Sequence, residues 1–154
     1  MNIAINFTDY RKTIRLKKKG GKTLIFDPIR KKHLTLAPEE LVRQLVVQYL
    51  VLEKAFPKSL IGIEKGLKVN QLAKRCDILV YGHDTKPMLL VECKAPNVIV
   101  DEKTFEQIAR YNLPLQVKYL LLTNGLTTYC CKMDYENGRF HFLEAIPTWK
   151  EIND

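Results

Sequence analysis

The chain has 154 residues, a formal net charge of +8 and an apolar fraction of 46%. This length predicts one compact domain, and the apolar fraction is sufficient for a hydrophobic core. No early apolar run is long enough for a signal peptide or a membrane span, so we expect a cytoplasmic protein without membrane contact. The basic balance is compatible with an anionic partner such as nucleic acid, but charge alone does not select one.

The first part of the chain contains a predicted β-hairpin with a basic tip. Two β-prone runs, residues 13–16 and 23–26, flank a turn that holds two glycines and four lysines. This pattern is typical of a hairpin. Its lysines, including Lys18, Lys19 and Lys22, are candidates for contacts with nucleic-acid phosphates, but a solvated turn kept soluble by its charges fits equally well.

A helix is predicted over residues 38–55. Proline suits the first helical turn, and the acids Glu39 and Glu40 suit the positive end of the helix dipole. Apolar residues recur at spacings of three and four, and the polar stripe between them contains Glu40, Arg43 and Gln44. These three side chains therefore share one face of the helix.

Three strands are predicted to follow as a meander, over residues 60–69, 76–81 and 88–94. If the hairpin between the last two is centred between Asp84 and Thr85, Asp77 and Glu92 are equally far from the turn. They then lie directly across from each other. Lys94 falls on the same face as Glu92 because side chains alternate with a period of two.

Two carboxylates that face each other on a sheet repel, so this pair needs a compensating cation. Magnesium prefers oxygen ligands, which Asp77, Glu92 and the backbone carbonyl of Cys93 can supply. Lys94 is placed to position a water or to stabilise developing negative charge, and Glu40 is a candidate third acid. This set is typical of metal-dependent phosphodiester hydrolysis. The alternative is a surface ion pair between Glu92 and Lys94, with Asp77 at the entry of its strand.

The four cysteines are Cys76, Cys93, Cys130 and Cys131. None belongs to a C-x-x-C pair, so a structural zinc site is not expected. In the predicted hairpin register, Cys76 and Cys93 face each other on the side of the sheet opposite Asp77. A cytosolic location favours buried free thiols over a disulfide.

The second half of the chain predicts a helix and three further strands. The helix covers residues 104–112, a strand buried on both faces covers 117–123, and two outer strands follow over 126–133 and 140–145. With the first helix and the meander, this order predicts an α/β domain around a mixed central sheet. We expect a single domain, in which residues 1–36 are an accessory region and residues 37–154 are the core.

At these residues the sequence resembles the PD-(D/E)XK, or restriction-endonuclease-like, superfamily. The match is Asp77 on one strand and E-x-K at residues 92–94 on the next, with Cys76 in place of the proline. Gln107 and Tyr111 match a Q-x-x-x-Y motif found in a subset of that superfamily, and their spacing puts them on one helix face. The resemblance implies an αβββαβ core.

A closer likeness is to the N-terminal nuclease domain of type I restriction enzyme R subunits and its small stand-alone relatives. The segments that carry it are residues 26–32, 38–44, 75–78, 91–96, 107, 110–112 and 123–125. The resemblance implies that Asp77 and Glu92 ligate Mg²⁺, for which Mn²⁺ can substitute, and that Lys94 is catalytic. Gln107 and Tyr111 would contact the site or the DNA backbone.

The same resemblance implies that an acid of the first helix assists the metal site. We assign this role to Glu40 rather than Glu39 because Arg43 and Gln44 share the face of Glu40. Arg43 and Gln44 are themselves candidates for supporting the site or contacting nucleic acid.

The sequence thus favours a magnesium-dependent DNA endonuclease that acts as a homodimer, since one active site cuts one strand. The chain lacks the ATP-driven motor of the full R subunits, so a separate targeting or motor subunit supplies specificity, or the nuclease has little sequence preference. Two alternatives stay open. One is a catalytically silent nucleic-acid-binding module with a nuclease fold, and the other is a basic scaffold whose acids form structural ion pairs.

Overall fold

The N-terminal region forms a small antiparallel sheet in the computed structural model, which describes residues 2–69 and 72–154, without the side chains of 67–69 and 72–74. After a 3-10 helix, Phe7–Thr13, come strands β1 (Leu16–Lys19), β2 (Lys22–Asp27) and β3 (Lys32–Thr35). Gly20 and Gly21 join β1 to β2 with φ angles of 57° and 77°, as a tight type I′ hairpin turn requires. The basic hairpin is confirmed, whereas β3 was not predicted.

The core follows in the expected order of helix, three strands, helix and strand. Its elements are α1 (Pro38–Leu52), β4 (Ile61–Val69), β5 (Leu72–Tyr81), β6 (Pro87–Cys93), α2 (Glu102–Asn112), β7 (Tyr119–Thr123), β8 (Thr128–Asp134), β9 (Arg139–Phe142) and α3 (Trp149–Ile152). None of the helices in the described part of the chain has the length and apolar character needed to cross a membrane. The restriction-endonuclease-like αβββαβ arrangement is confirmed.

Strands β4 to β9 form one six-stranded sheet in sequence order. Strands β6 and β7 pair in parallel, and the other neighbouring pairs are antiparallel, so the sheet is mixed as predicted. Some boundaries differ from the prediction. Helix α2 begins at Glu102, two residues early, because the Asp101 carboxylate caps it by accepting the Thr104 N–H at 2.8 Å.

Two hydrophobic clusters sandwich this sheet. On the α1 face, Val46 and Leu50 pack with Ile78, Val91 and Leu121. On the α2 face, Phe105 and Ala109 of the helix pack with the strand residues Leu79, Leu90 and Leu122. Strand β7 is buried at every position, as expected of a strand covered on both sides. The central strands of the sheet are therefore packed between α1 on one face and α2 on the other.

Candidate functional site

The β5–β6 hairpin brings Asp77 and Glu92 to the same end of two neighbouring strands. The observed pairs are Ile78 with Val91, followed by Leu79 with Leu90 and Val80 with Leu89. The hairpin centre between Asp84 and Thr85 is confirmed, and the same register extended by one pair would put Asp77 opposite Glu92, which stays a prediction. At this point the Cys93 backbone N–H donates a 2.8 Å hydrogen bond to Asp77 Oδ2 instead of to a strand carbonyl. The carboxylate is thereby fixed between the two strands.

The side chains of strand β5 do not alternate regularly between the two faces of the sheet around Asp77. Cys76 and Ile78 are two positions apart, yet Cys76 belongs to the α2-face cluster and Ile78 to the α1-face cluster. Regular alternation would have put them on one face, so the strand is irregular between them. Cys93 lies in the α1-face cluster. The expectation that Cys76 and Cys93 face each other is therefore wrong.

The four cysteines are buried and free, as predicted. Burial, followed by the negative charge of Asp77, raises the pKa of the Cys93 thiol well above its ordinary value. Cys93 is therefore protonated at neutral pH. Its side chain contributes to the core, while its backbone contributes to the site.

A nearly buried arginine, Arg43 of α1, connects the acids of the site. It is 6% exposed, and its Nη2 lies 3.6 Å from Asp77 Oδ1. Its Nη1 lies 3.3 Å from Glu64 Oε1 and 3.6 Å from Glu40 Oε1. Burial alone would lower the pKa of Arg43, but the charges of Glu40, Asp77 and Glu64 outweigh it, and the pKa is raised.

A second arginine, Arg30, reaches the same acids from the N-terminal sheet. The fully buried Asp27 accepts N–H bonds from Ile29 and Arg30 at 2.8 and 3.0 Å, and its Oδ2 accepts from Arg30 Nε at 2.6 Å. Arg30 Nη1 then lies 2.9 Å from Glu64 Oε2, and Nη2 lies 3.4 Å from Glu40 Oε1. We call Asp27, Glu40, Glu64, Asp77, Arg30, Arg43 and Arg75 the acid–arginine network.

Glu64 is a member of this network that sequence reasoning missed. The pairs Ile63–Ile78 and Lys65–Cys76 bracket it, so Glu64 sits beside Asp77 on the neighbouring strand. Its backbone has a φ angle of 50°, in the left-handed region. Burial would raise the pKa of Glu64, but Arg43, Arg75 and Arg30 lower it. The available signal was a charge that directly borders the apolar run 61–63, as Asp77 and Glu92 border the apolar runs of their strands.

Of the two acids that open α1, Glu40 points inward. It is half-buried in the network, and Gln44 Nε2 donates to its Oε2 at 3.2 Å, whereas Glu39 is exposed. Gln44 and Arg43 are both buried. Both therefore contact carboxylates rather than solvent, which fits site support better than direct contact with nucleic acid. The catalytic role of Glu40 stays a prediction.

Lys94 directly follows β6 and is half-buried. Its backbone N–H donates to the Thr123 carbonyl at 2.9 Å, so the parallel pairing with β7 continues one residue beyond the strand. The next segment is tied down by the buried Asn124, whose Nδ2 donates to the Val98 carbonyl at 2.8 Å. The backbone on both sides of Lys94 is therefore anchored to the end of β7.

The other predicted site residues lie outside the network. Gln107 and Tyr111 are on the exposed side of α2, and Tyr111 is 60% exposed. Lys18, Lys19 and Lys22 are exposed in the β1–β2 hairpin. All five side chains are accessible to a large ligand.

The donor chemistry at Asp77 and Glu92 fits a hard divalent cation. Two carboxylates on neighbouring strands supply the oxygen ligands that Mg²⁺ prefers. Cys93 sends its N–H toward Asp77, and in a strand the carbonyl of the same residue points to the same side, which adds a third oxygen. Within residues 2–69 and 72–154, no group of three or more His, Cys, Asp or Glu side chains converges as a metal cluster. The fit thus rests on two acids and one carbonyl.

Comparison with known families decides the relationship. The family described as type I restriction enzyme R protein N terminus (HSDR_N) matches residues 38–147, more than two thirds of the chain. The chain belongs to this family. Membership in the R-protein N-terminal family indicates a restriction-type nuclease domain and confirms the resemblance seen in the sequence.

The fold of a solved relative agrees. A fragment assigned to the HsdR subunit of a type I restriction enzyme from Vibrio vulnificus superposes with a TM-score of 0.53 at 23% identity. The match covers 75% of this chain and 24% of that one, so the R-protein N-terminal fold is shared and the chain spans about a quarter of its relative's length. No match was found among curated proteins.

Proposed function

We propose that this domain is a magnesium-dependent endonuclease that hydrolyses phosphodiester bonds in DNA. The observation that carries the proposal is the position of Asp77 and Glu92, each next to the Ile78–Val91 pair at the same end of β5 and β6, with Asp77 fixed by the Cys93 N–H. Family membership supports it, because a restriction-type nuclease domain needs a group that activates water near a phosphate.

In this proposal Asp77, Glu92 and the Cys93 carbonyl hold Mg²⁺, for which Mn²⁺ can substitute. The ion, when bound, lowers the pKa of a water and offsets negative charge on the phosphate. The Cys93 N–H keeps one Asp77 oxygen in place, which leaves Oδ1 as the oxygen that turns away from the strand backbone. Precise placement of a carboxylate by a fixed hydrogen bond is typical of ligand sites.

The remaining predicted residues act around this pair. Lys94, anchored beside the end of β7, is the catalytic cation, which orients the attacking water or stabilises charge on the phosphate oxygens. Arg43 positions Asp77, and Glu40 positions Arg43. Gln107 and Tyr111 are exposed and are proposed to contact the DNA backbone outside the network.

The proposed partners follow from the same relatives. HsdR is a subunit of a type I restriction enzyme, and this chain spans about a quarter of the matched HsdR chain. We propose that the domain acts on DNA, that targeting or motor functions come from other protein segments or subunits, and that two copies pair to cut both strands. A domain acting singly would only nick a duplex.

A second candidate is a silent nuclease-fold module that binds nucleic acid without cutting it. The contact of Arg43 with Asp77 favours this candidate, because the guanidinium already neutralises a proposed ligand. An arginine bound this way weakens the binding of a divalent cation through like-charge repulsion. Structural ion pairing alone, the third alternative, leaves unexplained why Glu92 interrupts a buried strand opposite Asp77.

Supercoiled plasmid distinguishes these candidates. The wild type is incubated with Mg²⁺ or Mn²⁺, in parallel with Glu92→Gln and with Glu106→Gln, which removes an exposed acid of α2. We expect the wild type and Glu106→Gln to convert the plasmid to nicked or linear forms, and Glu92→Gln to leave it supercoiled. Equal cleavage by all three proteins would refute the assignment of Glu92, and binding without cleavage by the wild type would support the silent module.

A further inference from the structure

A cavity of about 430 Å³ lies where the N-terminal sheet meets α1 and the 3-10 helix Lys58–Leu60, and no residue of the acid–arginine network is among those that line it. Three cationic side chains line it, namely Arg15, Lys31 and Lys58, which come from three separate segments. Polar groups of Thr13 and Gln48 also reach it. In the described part of the chain, its lining contains no carboxylate. The cavity is therefore electropositive.

The cationic character continues along one face of the N-terminal sheet. Phe26 lines the cavity, the Arg15 guanidinium lies 5.7 Å above its ring, and the His33 ring lies 5.1 Å away on β3. By strand alternation, Lys17 and Lys19 of β1 share this face with Phe26. The face therefore carries a line of cations that leads from the hairpin tip to the cavity.

The charges on this face act on one another. Slight desolvation and then the positive charges of Lys17 and Lys19 lower the pKa of His33, so these lysines lie close to the histidine. Concentrated like charge on a small exposed sheet is unfavourable unless an anion is bound part of the time. Lysines that only keep a turn soluble would have no reason to line one face of the sheet together with Arg15.

We propose that the cavity and this sheet face form a phosphate-binding track for a nucleic-acid strand, separate from the residues that would cleave it. From Arg15 to Lys19 the strand advances about 13 Å at ~3.3 Å per residue, which spans about four phosphates at the ~3.4 Å axial spacing of one duplex strand. Charge complementarity selects the phosphate backbone, and the exposed lysines contact it without reading bases. The track rests on the proposed function, because it takes the bound strand to be the nuclease substrate.

The test measures DNA binding without cleavage. A fluorescein-labelled DNA duplex is titrated in EDTA at several KCl concentrations with three double variants. Lys31→Gln/Lys58→Gln removes cavity cations and Lys17→Gln/Lys19→Gln removes face cations. Lys132→Gln/Lys150→Gln removes the same charge from exposed positions on β8 and α3.

The slope of log Kobs against log salt becomes shallower by about 0.9 for each phosphate that the protein no longer neutralises, so each track variant is expected to have a slope shallower by about 2. The control variant is expected to keep the wild-type slope. Equal slopes in the track variants and the control would overturn the proposal. Absence of DNA binding by the wild type would also overturn it, as would a wild type that binds phosphatidylserine vesicles through these cations but does not bind DNA.

The two proposals fail separately in these experiments. A wild type that binds DNA through the track but does not cleave with Mg²⁺ or Mn²⁺ overturns the nuclease activity and supports the track. A wild type that cleaves DNA, but whose track variants keep the slope of the control, overturns the track and leaves the nuclease activity intact.

Discussion

Asp77 Oδ1 lies 3.6 Å from Nη2 of Arg43, a guanidinium that is itself only 6% exposed. Three carboxylates converge on this one cation, since Glu40 and Glu64 also contact it. Arg43 therefore does two things in this fold. It makes the closely spaced acids compatible with burial, and it competes with any metal for Asp77.

Arg43→Met should destabilise the protein strongly. Removing one partner from a buried ion pair leaves uncompensated charge and typically costs about 3–5 kcal/mol. Urea unfolding in EDTA measures this loss. Arg75→Met is the control, because Arg75 is 72% exposed and contacts only Glu64 within the network, so its loss should cost less than about 1 kcal/mol.

If the acids freed in Arg43→Met bind a metal, added Mg²⁺ should restore part of the lost stability. The increase in melting temperature on adding Mg²⁺ should then be larger in Arg43→Met than in the wild type. Equal increases in both proteins would argue against competition between Arg43 and the metal for Asp77.

Asp27→Asn should lower stability in a pH-dependent way. Burial raises the pKa of Asp27, but hydrogen bonds from Arg30 and Ile29 outweigh it, so the pKa lies below its ordinary value. The ionised Asp27 therefore stabilises the fold above about pH 4, and this contribution disappears as the pH falls through the lowered pKa. At pH 7 we expect the substitution to cost about 1.5–3 kcal/mol, the range for a hydrogen bond to a charged group.

The measurement is urea unfolding of wild type and Asp27→Asn from pH 7 to pH 3. The difference in unfolding free energy should be constant near neutrality and should shrink below about pH 4. A difference that grows toward acid pH would mean that the pKa of Asp27 is raised, contrary to its contacts.

The register of β5 against β6, with Ile78 opposite Val91, could be predicted because it depends only on the centre of one hairpin. The facing of Cys76 could not, because it depends on an irregularity of β5 at Asp77, the residue whose carboxylate accepts the Cys93 N–H. A side chain that replaces a backbone acceptor leaves no trace in the apolar pattern of the strand.

The cations that contact the acids could not be predicted from the sequence either. Arg30 reaches Glu64 across 34 positions of sequence, and no local pattern reveals such a contact. Strand β3 was missed because its residues, Lys32–Thr35, are mostly exposed and polar and show no apolar alternation. Short-range patterns thus predicted the elements, while the cations of the site depend on tertiary packing.

Glu40 and Glu39 form a matched pair for testing indirect support of the site. Glu40 contacts Arg43, which contacts Asp77, whereas Glu39 is exposed one position away. Loss of a residue that orients a ligand typically costs about 10- to 100-fold in activity, or roughly that range in metal affinity. We expect Glu40→Gln to slow plasmid cleavage by this amount, and Glu39→Gln to cleave at the wild-type rate. Equal cleavage rates in Glu40→Gln and Glu39→Gln would mean that Glu40 does not support the site.

Lys94→Ala should separate binding from chemistry. If its ammonium stabilises charge that develops on the phosphate, its loss should lower the cleavage rate about 100-fold or more while DNA affinity changes little. Cleavage rates and anisotropy titrations on the same duplex provide both numbers, with the exposed Lys150→Ala of α3 as the control for the removed charge. Full activity in Lys94→Ala would exclude a catalytic role for this residue.

Calorimetric titration of Mg²⁺ into the protein tests the central claim most directly, because it asks whether Asp77 and Glu92 share one cation. The account predicts that the wild type and Glu39→Gln bind Mg²⁺, and that Asp77→Asn and Glu92→Gln each abolish binding. Mg²⁺ binding of wild-type strength in Asp77→Asn would contradict it.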